Sequence, residues 1–292
     1  MFLLSIKYNV SFYLNIIIFH SFGVDGMNEI NTKELGIFEI FSIGWGLFRD
    51  NFIQFFKITV ILGLPLSILL SFADNILLKI ISNGDITSII TGSTQLIENL
   101  STEQLLTVSA LMIISMFIQA LIYPLITIAV ADAAGDSLSG RVVDARKSVL
   151  NALSKGTVVM ASSVIYWVAI VIGLMFFIIP GIILLVLWYF YEYTIIFDDA
   201  GIINSFKMSM DLVKGKWFKT AGYILLISIV NGLITRTLTF FIGALQLFFI
   251  GDVLFMVILF FLYTFIISVI TVFYLNRKAL YIKDQNKNNM YF

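Results

Sequence analysis

Cysteine is absent from this 292-residue chain, which excludes a disulfide framework and any thiolate chemistry. Histidine occurs once, at His20, so histidine-based metal sites, catalytic triads and phosphohistidine chemistry have almost no raw material. Charge is scarce: Asp, Glu, Lys and Arg make up 12% of the residues, against about a quarter in ordinary soluble domains. The 18 basic and 18 acidic side chains cancel, which argues against a nucleic-acid partner. The few polar groups form no metal-ligand spacing and no nucleophile-base pattern, and no cofactor is expected.

What the chain has is apolar length. It is 60% hydrophobic with a mean hydropathy of +1.00, so lipid must solvate much of it. A bilayer core of about 30 Å takes roughly 20 apolar residues in a helix. Six stretches meet that length or can be divided to meet it: Phe52–Phe72, Leu105–Ala131, Val158–Ile178, Ile182–Phe197, Thr220–Gly243 and Val253–Tyr274. The third and fourth must be separate crossings, because about forty nearly unbroken apolar residues are too long for one. Pro180-Gly181 marks the fold-back, with Gly181 permissive for a tight turn and Pro180 able to open the next helix.

A threefold pattern organises these spans. Short amphipathic segments at Ile37–Asn51, Val142–Lys155 and Ile202–Lys216 each run into a pair of spans. The expected apolar stripes are Ile37, Ile40, Phe41 and Phe48 in the first, Val142, Ala145, Val149, Ala152 and Leu153 in the second, and Ile202, Ile203, Phe206, Met210 and Val213 in the third. Their basic members, Arg49, Lys147, Lys155, Lys207, Lys214 and Lys216, would sit among inner headgroups and meet anionic lipid. The fold class expected is an all-α integral membrane protein of about six transmembrane helices in three helical-hairpin units, each preceded by an amphipathic interfacial helix.

Lys and Arg cluster after spans two, four and six, whereas Ala73–Gln104 carries four carboxylates against Lys79. The positive-inside rule therefore places the three basic regions and both termini in the cytoplasm and that connection outside the cell membrane. Residues 1–26 are either a doubtful hydrophobic extension, a weak signal sequence, or sequence ahead of a true start at Met27. Residues 27–282 form a single six-helix membrane domain, and residues 283–292 a polar cytoplasmic tail.

The run Ile179-Pro180-Gly181-Ile182, the aromatic span after it, Asp198-Asp199-Ala200-Gly201, and the segment Ser205–Trp217 together resemble the glycerophosphoryl diester phosphodiesterase membrane-domain family. Ile40–Phe52 is similar to that family's N-terminal entry helix. The resemblance covers about Leu35 to Ile282 and implies a multi-span membrane module. The soluble phosphodiesterase barrel that gives the family its name has no counterpart here, so the name implies no activity.

Polar residues inside apolar runs are the usual pointers to function, since an unpaired charge in lipid is costly. Glu192 is the one carboxylate within a span; it is either a substrate or proton group or a member of a tyrosine belt at the headgroups. Arg236 either snorkels or meets a lipid phosphate. Gln119, Asn231 and Gln246 are amides of the kind that join neighbouring helices. Pro65 and Pro124 free backbone carbonyls inside spans one and two and can kink them. Asp132, Asp136 and Asp144 read as a solvated inner connection. The reading that follows is a non-enzymatic, structural, regulatory or accessory component of the cell envelope, with membrane lipids and either a membrane protein or a second copy of itself as partners. The alternative is a transporter or exporter of a lipid-like or apolar molecule.

Overall fold

A computed structural model describes residues 30–81, 100–176, 178–243 and 249–289. The expectations for residues 1–26, for the middle of the 73–104 connection, for Gln246 and for the last three residues lie outside them. The described residues are helical without strands, and six helices are long and apolar enough to cross a membrane.

Helix α1 (Ile37–Asp50) starts after Gly36, whose N–H donates to the Glu39 carboxylate at 2.8 Å. It stops at Asn51, whose amide donates to Leu47 O and to Ser137 Oγ. The first crossing follows as α2 (Phe52–Ile58), a π turn (Thr59–Gly63) and α3 (Leu64–Ile81). Pro65 explains the π turn: a residue without an N–H cannot close the ordinary i to i−4 ladder, and the helix widens just ahead of it. Just past it, Ser67 Oγ donates to Gly63 O at 2.8 Å, an i to i−4 side-chain bond within the helix.

Helix α4 (Thr102–Leu138) is capped by Ser101, which accepts from Gln104 N. Its 37 residues run for about 55 Å, straight through Pro124 and beyond the expected end at Ala131. Helix α5 (Ala145–Ser154) is capped by Asp144, and α6 (Gly156–Phe176) is the third crossing. The fourth is broken into α7 (Ile178–Leu187) and α8 (Tyr191–Asp198). Helices α9 (Ile202–Val213), α10 (Trp217–Gly243) and α11 (Phe249–Asn289) complete the chain. Because α11 continues to Asn289, no break separates the expected 283–292 tail from the membrane domain.

Pro180 does lie in the first turn of the returning helix, where its missing donor is harmless. Gly181 requires a correction. It sits inside α7, and its use is contact: a Cβ added there would fall 2.7 Å from Leu174 N, and one on Gly173 would fall 2.9 Å from the Gly181 Cα. Small residues let the two arms of this hairpin touch backbone to backbone.

The three short segments form helices, but their inward faces differ from the expected stripes. Helix α1 packs along α11, with Ile40, Ile43, Gly44, Leu47 and Phe48 buried, while Phe41 is only partly covered. Val142 precedes α5 and is 90% exposed, and Leu153 also faces out. In α9 Ser205 and Ser209 turn inward beside Phe206, Leu212 and Val213, and Ile203 is exposed. The core is densest around the second half of α4, where Leu125–Ala131, Ala133–Asp136 and Leu138 are buried on all sides. This end carries the lysines and arginines of α5, α9 and α11, and is called the basic end below. At the opposite, apolar end, Leu106, Ile113, Met116, Met175 and Phe176 point away from the protein.

Candidate functional site

Two polar regions emerge, one inside the bundle and one at its basic end. The first is built on the break between α7 and α8. Trp188–Phe190 leave the helix, so the backbone there needs new partners. Ser209 of α9 supplies both: its hydroxyl donates to Leu187 O at 2.8 Å and accepts from Phe190 N at 3.0 Å. Thr194 Oγ1 adds bonds to Tyr191 O and Ser205 O. Ser209 faces inward for this reason, while the Ser205 hydroxyl donates to Ile202 O of its own helix at 2.7 Å.

Immediately past the break lies Glu192, partly buried. The Tyr191 hydroxyl donates to its carboxylate at 2.8 Å and also meets Ser163 Oγ of α6 at 2.9 Å. Thr127 of α4 lies beside it, and Tyr166, Tyr189, Tyr193 and Tyr263 are within electrostatic reach. Tyr166 stacks on Tyr191 with ring centroids 5.0 Å apart. Tyr191 and Tyr193 are nearly fully buried against Phe206 and Tyr274, so these aromatics line the interior and not a headgroup belt. No cation pairs with Glu192 among the described residues.

The other candidate polar residues do not join it. Gln119 and Asn231 are partly exposed on α4 and α10, and Arg236 is exposed on α10. Pro124 is buried next to Tyr123, whose carbonyl accepts from Thr127 at 3.2 Å, and α4 continues past it. A proline-bearing helix, a broken helix and an acid thus meet, with Thr127 of α4 beside Glu192.

The second region, at the basic end, is a network of carboxylates that the sequence alone did not reveal. Asp132 and Asp136 belong to α4 and not to a solvated connection. Asp132 accepts from Asn151 at 2.8 Å, and Asp136, 3% exposed, pairs with Arg141 at 2.6 Å and Lys147 at 3.0 Å. Asp198, ending α8, accepts from the Tyr274 hydroxyl and from Lys278 of α11. Gly135 allows this crowding, since a Cβ there would lie 2.5 Å from the Phe197 ring.

Lys155 is not an interfacial cation but a cap. Its ammonium donates to Ile195 O at 3.0 Å, to Ile196 O at 3.2 Å and to the Asp199 carboxylate. A cation at the last carbonyls of α8 satisfies orphan acceptors and offsets the helix dipole. The same contact holds the Asp199 carboxyl below the usual carboxylate range. Lys216 reaches Glu34 at 3.4 Å, and Arg49 pairs with its neighbour Asp50. Lys207 and Lys214 are exposed.

Against known proteins, a family model described as a domain of unknown function, DUF7847, matches residues 76–279, more than half of the chain. The chain belongs to this family. No curated protein and no solved structure matches it. The DUF7847 segment opens within α3 and closes within α11, so it contains the Glu192 break and most of the basic-end network, while α1 and α2 precede it.

Proposed function

We propose that this protein is a multi-pass component of the cell membrane without chemistry of its own, with its basic end in the cytoplasm. There it offers a rigid, cationic platform to inner-leaflet lipids and to a membrane-protein partner or a second copy. The observation that carries this reading is how the basic-end carboxylates are used. Asp132, Asp136, Asp198 and Asp199 each hold a neighbouring element, so the polar groups of that end fasten helices together. Turned outward are the cations Arg146, Lys207 and Lys214, which outnumber the exposed carboxylates of α9 and of the turn ahead of α5, Asp211 and Asp144. Such cations attract anionic headgroups at about 1 kcal/mol each. The resemblance to a phosphodiesterase membrane module lacking its barrel is in keeping with this role.

Orientation is testable because the chain has no cysteine of its own. A Cys replacing exposed Glu103 labels from outside intact cells, and one replacing exposed Asn204 labels only after permeabilisation. The reverse pattern, or phosphodiester hydrolysis by the purified protein above a mock-purified control, overturns the reading.

A second reading, a carrier, is favoured by one observation. Glu192 has no cationic partner among the described residues and sits beside a broken α7–α8 and a proline-bearing α4, the kind of irregular backbone that lines binding sites in carriers. Lipid movement across proteoliposomes that is lost in Glu192→Gln decides for the carrier.

A further inference from the structure

We infer that the cleft between α2 and the start of α5 binds a single anionic phospholipid, its headgroup held by Lys57 and Arg146 and its acyl chain laid on Phe56, Val60 and Ile61. The inference deepens the proposed lipid-facing role and rests on it. A cleft of about 540 Å³ opens there, with walls from Gln54 to Ile61 on one side and Val142 to Arg146 on the other.

Three features select an amphiphile. First, Lys57 and Arg146 are exposed and have no carboxylate partner among the described residues, in contrast to Arg141 and Lys147 nearby, which Asp136 engages. Second, the wall around them is apolar and open: Phe56 and Ile61 are about half exposed, and Val142 is 90% exposed on a loop beside charged residues. A valine that projects fully beside two free cations matches the boundary between headgroups and acyl chains, where each side of the contact is satisfied. Third, the cleft floor is pinned in place. Ala145 N donates to Gln54 Oε1 at 3.4 Å, tying α5 to α2, and Asn51 ties α1 to Ser137.

Asp144 also lines the cleft and works against an anion, although its carboxylate is drawn toward the α5 terminus by Arg146 N at 2.9 Å. The net local charge therefore favours one headgroup phosphate. An apolar molecule without charge leaves both cations unmatched, and inorganic phosphate leaves the apolar wall wet.

Native mass spectrometry of the full-length protein, with dioleoyl phosphatidylglycerol and dioleoyl phosphatidylcholine in equal amounts, tests the site. The wild type should retain one phosphatidylglycerol in preference. Two surface cations are worth about thirtyfold in affinity together, so K57Q/R146Q should fall to near parity. D144N, which keeps a good helix cap, should strengthen retention about fivefold. K79Q, which removes an exposed cation near the far end of α3, away from the basic end, should retain the preference. An unchanged preference in K57Q/R146Q, an equal loss in K79Q, or displacement of the lipid by excess inorganic phosphate overturns the site. The measurement is made in detergent, so an inverted membrane orientation defeats the cytoplasmic placement without disturbing it.

Discussion

The basic end and the apolar end of this bundle are made by the same helices under opposite constraints. At the basic end, α1, α4, α8 and α11 meet through glycine and alanine, and polar contacts such as Asn51–Ser137 and Asp198–Tyr274 fasten α1 to α4 and α8 to α11. Asn276 of α11 secures the segment ahead of α1 in the same way, accepting from Leu35 N and donating to Ile30 O and Lys33 O. At the apolar end, Leu106, Ile113, Met175 and Phe176 face outward, and beyond the hairpin contact at Gly173–Gly181 shape is left to lipid. A hydrocarbon solvent gives little drive for apolar side chains to pack on one another, so among the described residues specific fastening concentrates where polar groups meet at the basic end.

The largest effect should come from a backbone-to-backbone approach at the basic end. A Cβ on Gly44 would lie 2.8 Å from the Val269 Cα, which is backbone and cannot rotate away. Gly44→Val should lower stability by about 3 kcal/mol, toward the upper range for overpacking, read as a drop in the thermal midpoint in detergent. Gly232 of α10 has open space instead, and Gly232→Ala should be neutral or stabilising by up to about 1 kcal/mol. Equal losses in both would erase the contrast between the ends.

Next in size is the brace at the helix break. Ser209→Ala strips partners from Leu187 O and Phe190 N together and should cost about 2 kcal/mol. Faster amide exchange at Phe190 would separate this loss from a general loosening. Asp136→Asn should follow at about 1 kcal/mol: the carboxylate is buried, but Arg141 and Lys147 are more than half exposed and solvent screens them. Lys207→Gln, on the outer face of α9, should stay within about 0.5 kcal/mol in the same melting experiment.

Much of this architecture was legible in the residues. Six apolar runs gave six helices of crossing length, because hydrocarbon leaves an unbroken stretch few alternatives. Pro65 was legible as a disturbance, and it became a π turn. The rest depended on which surfaces meet. Periodicity in α9 pointed to Ile203 and Met210, yet the helix turns Ser205 and Ser209 inward, and it is the Ser209 hydroxyl that the broken neighbour needs. Asp132 and Asp136 looked solvated because composition does not tell where a helix ends, and their partners Asn151, Arg141 and Lys147 lie beyond a turn. Lys155 looked interfacial because its acceptors, two backbone carbonyls, carry no sequence signature. Glu192 was visible as an acid in an apolar run, while its interior tyrosine surround required the fold to bring Tyr166 and Tyr263 to it.

The smallest expected effect concerns the edge of the basic end, where Glu34 meets Lys219 at 3.0 Å, Lys216 at 3.4 Å and Arg277 at 3.7 Å. Partial burial alone would raise its carboxyl, but the bonds and charges of Lys219 and Lys216 outweigh that and hold it below the ordinary value of 4.5. A carboxyl depressed in the folded state contributes stability above its unfolded value and loses it as pH falls through the folded one. The contribution should therefore be complete at neutral pH and be lost as the pH falls from the ordinary value through the lower folded one, with a size under about 1 kcal/mol because the group is a third exposed and salt screens it. Glu34→Gln should flatten that part of the stability profile and leave the neutral-pH midpoint only slightly lower. Asp199, which is exposed and held down by Lys155 alone, is the control, because its Asn variant should change the acid limb without loosening the segment ahead of α1. Should Glu34→Gln unfold the protein at neutral pH, the rim of the basic end would be as rigid as its centre, and the gradient would run along the chain and not along the bundle axis.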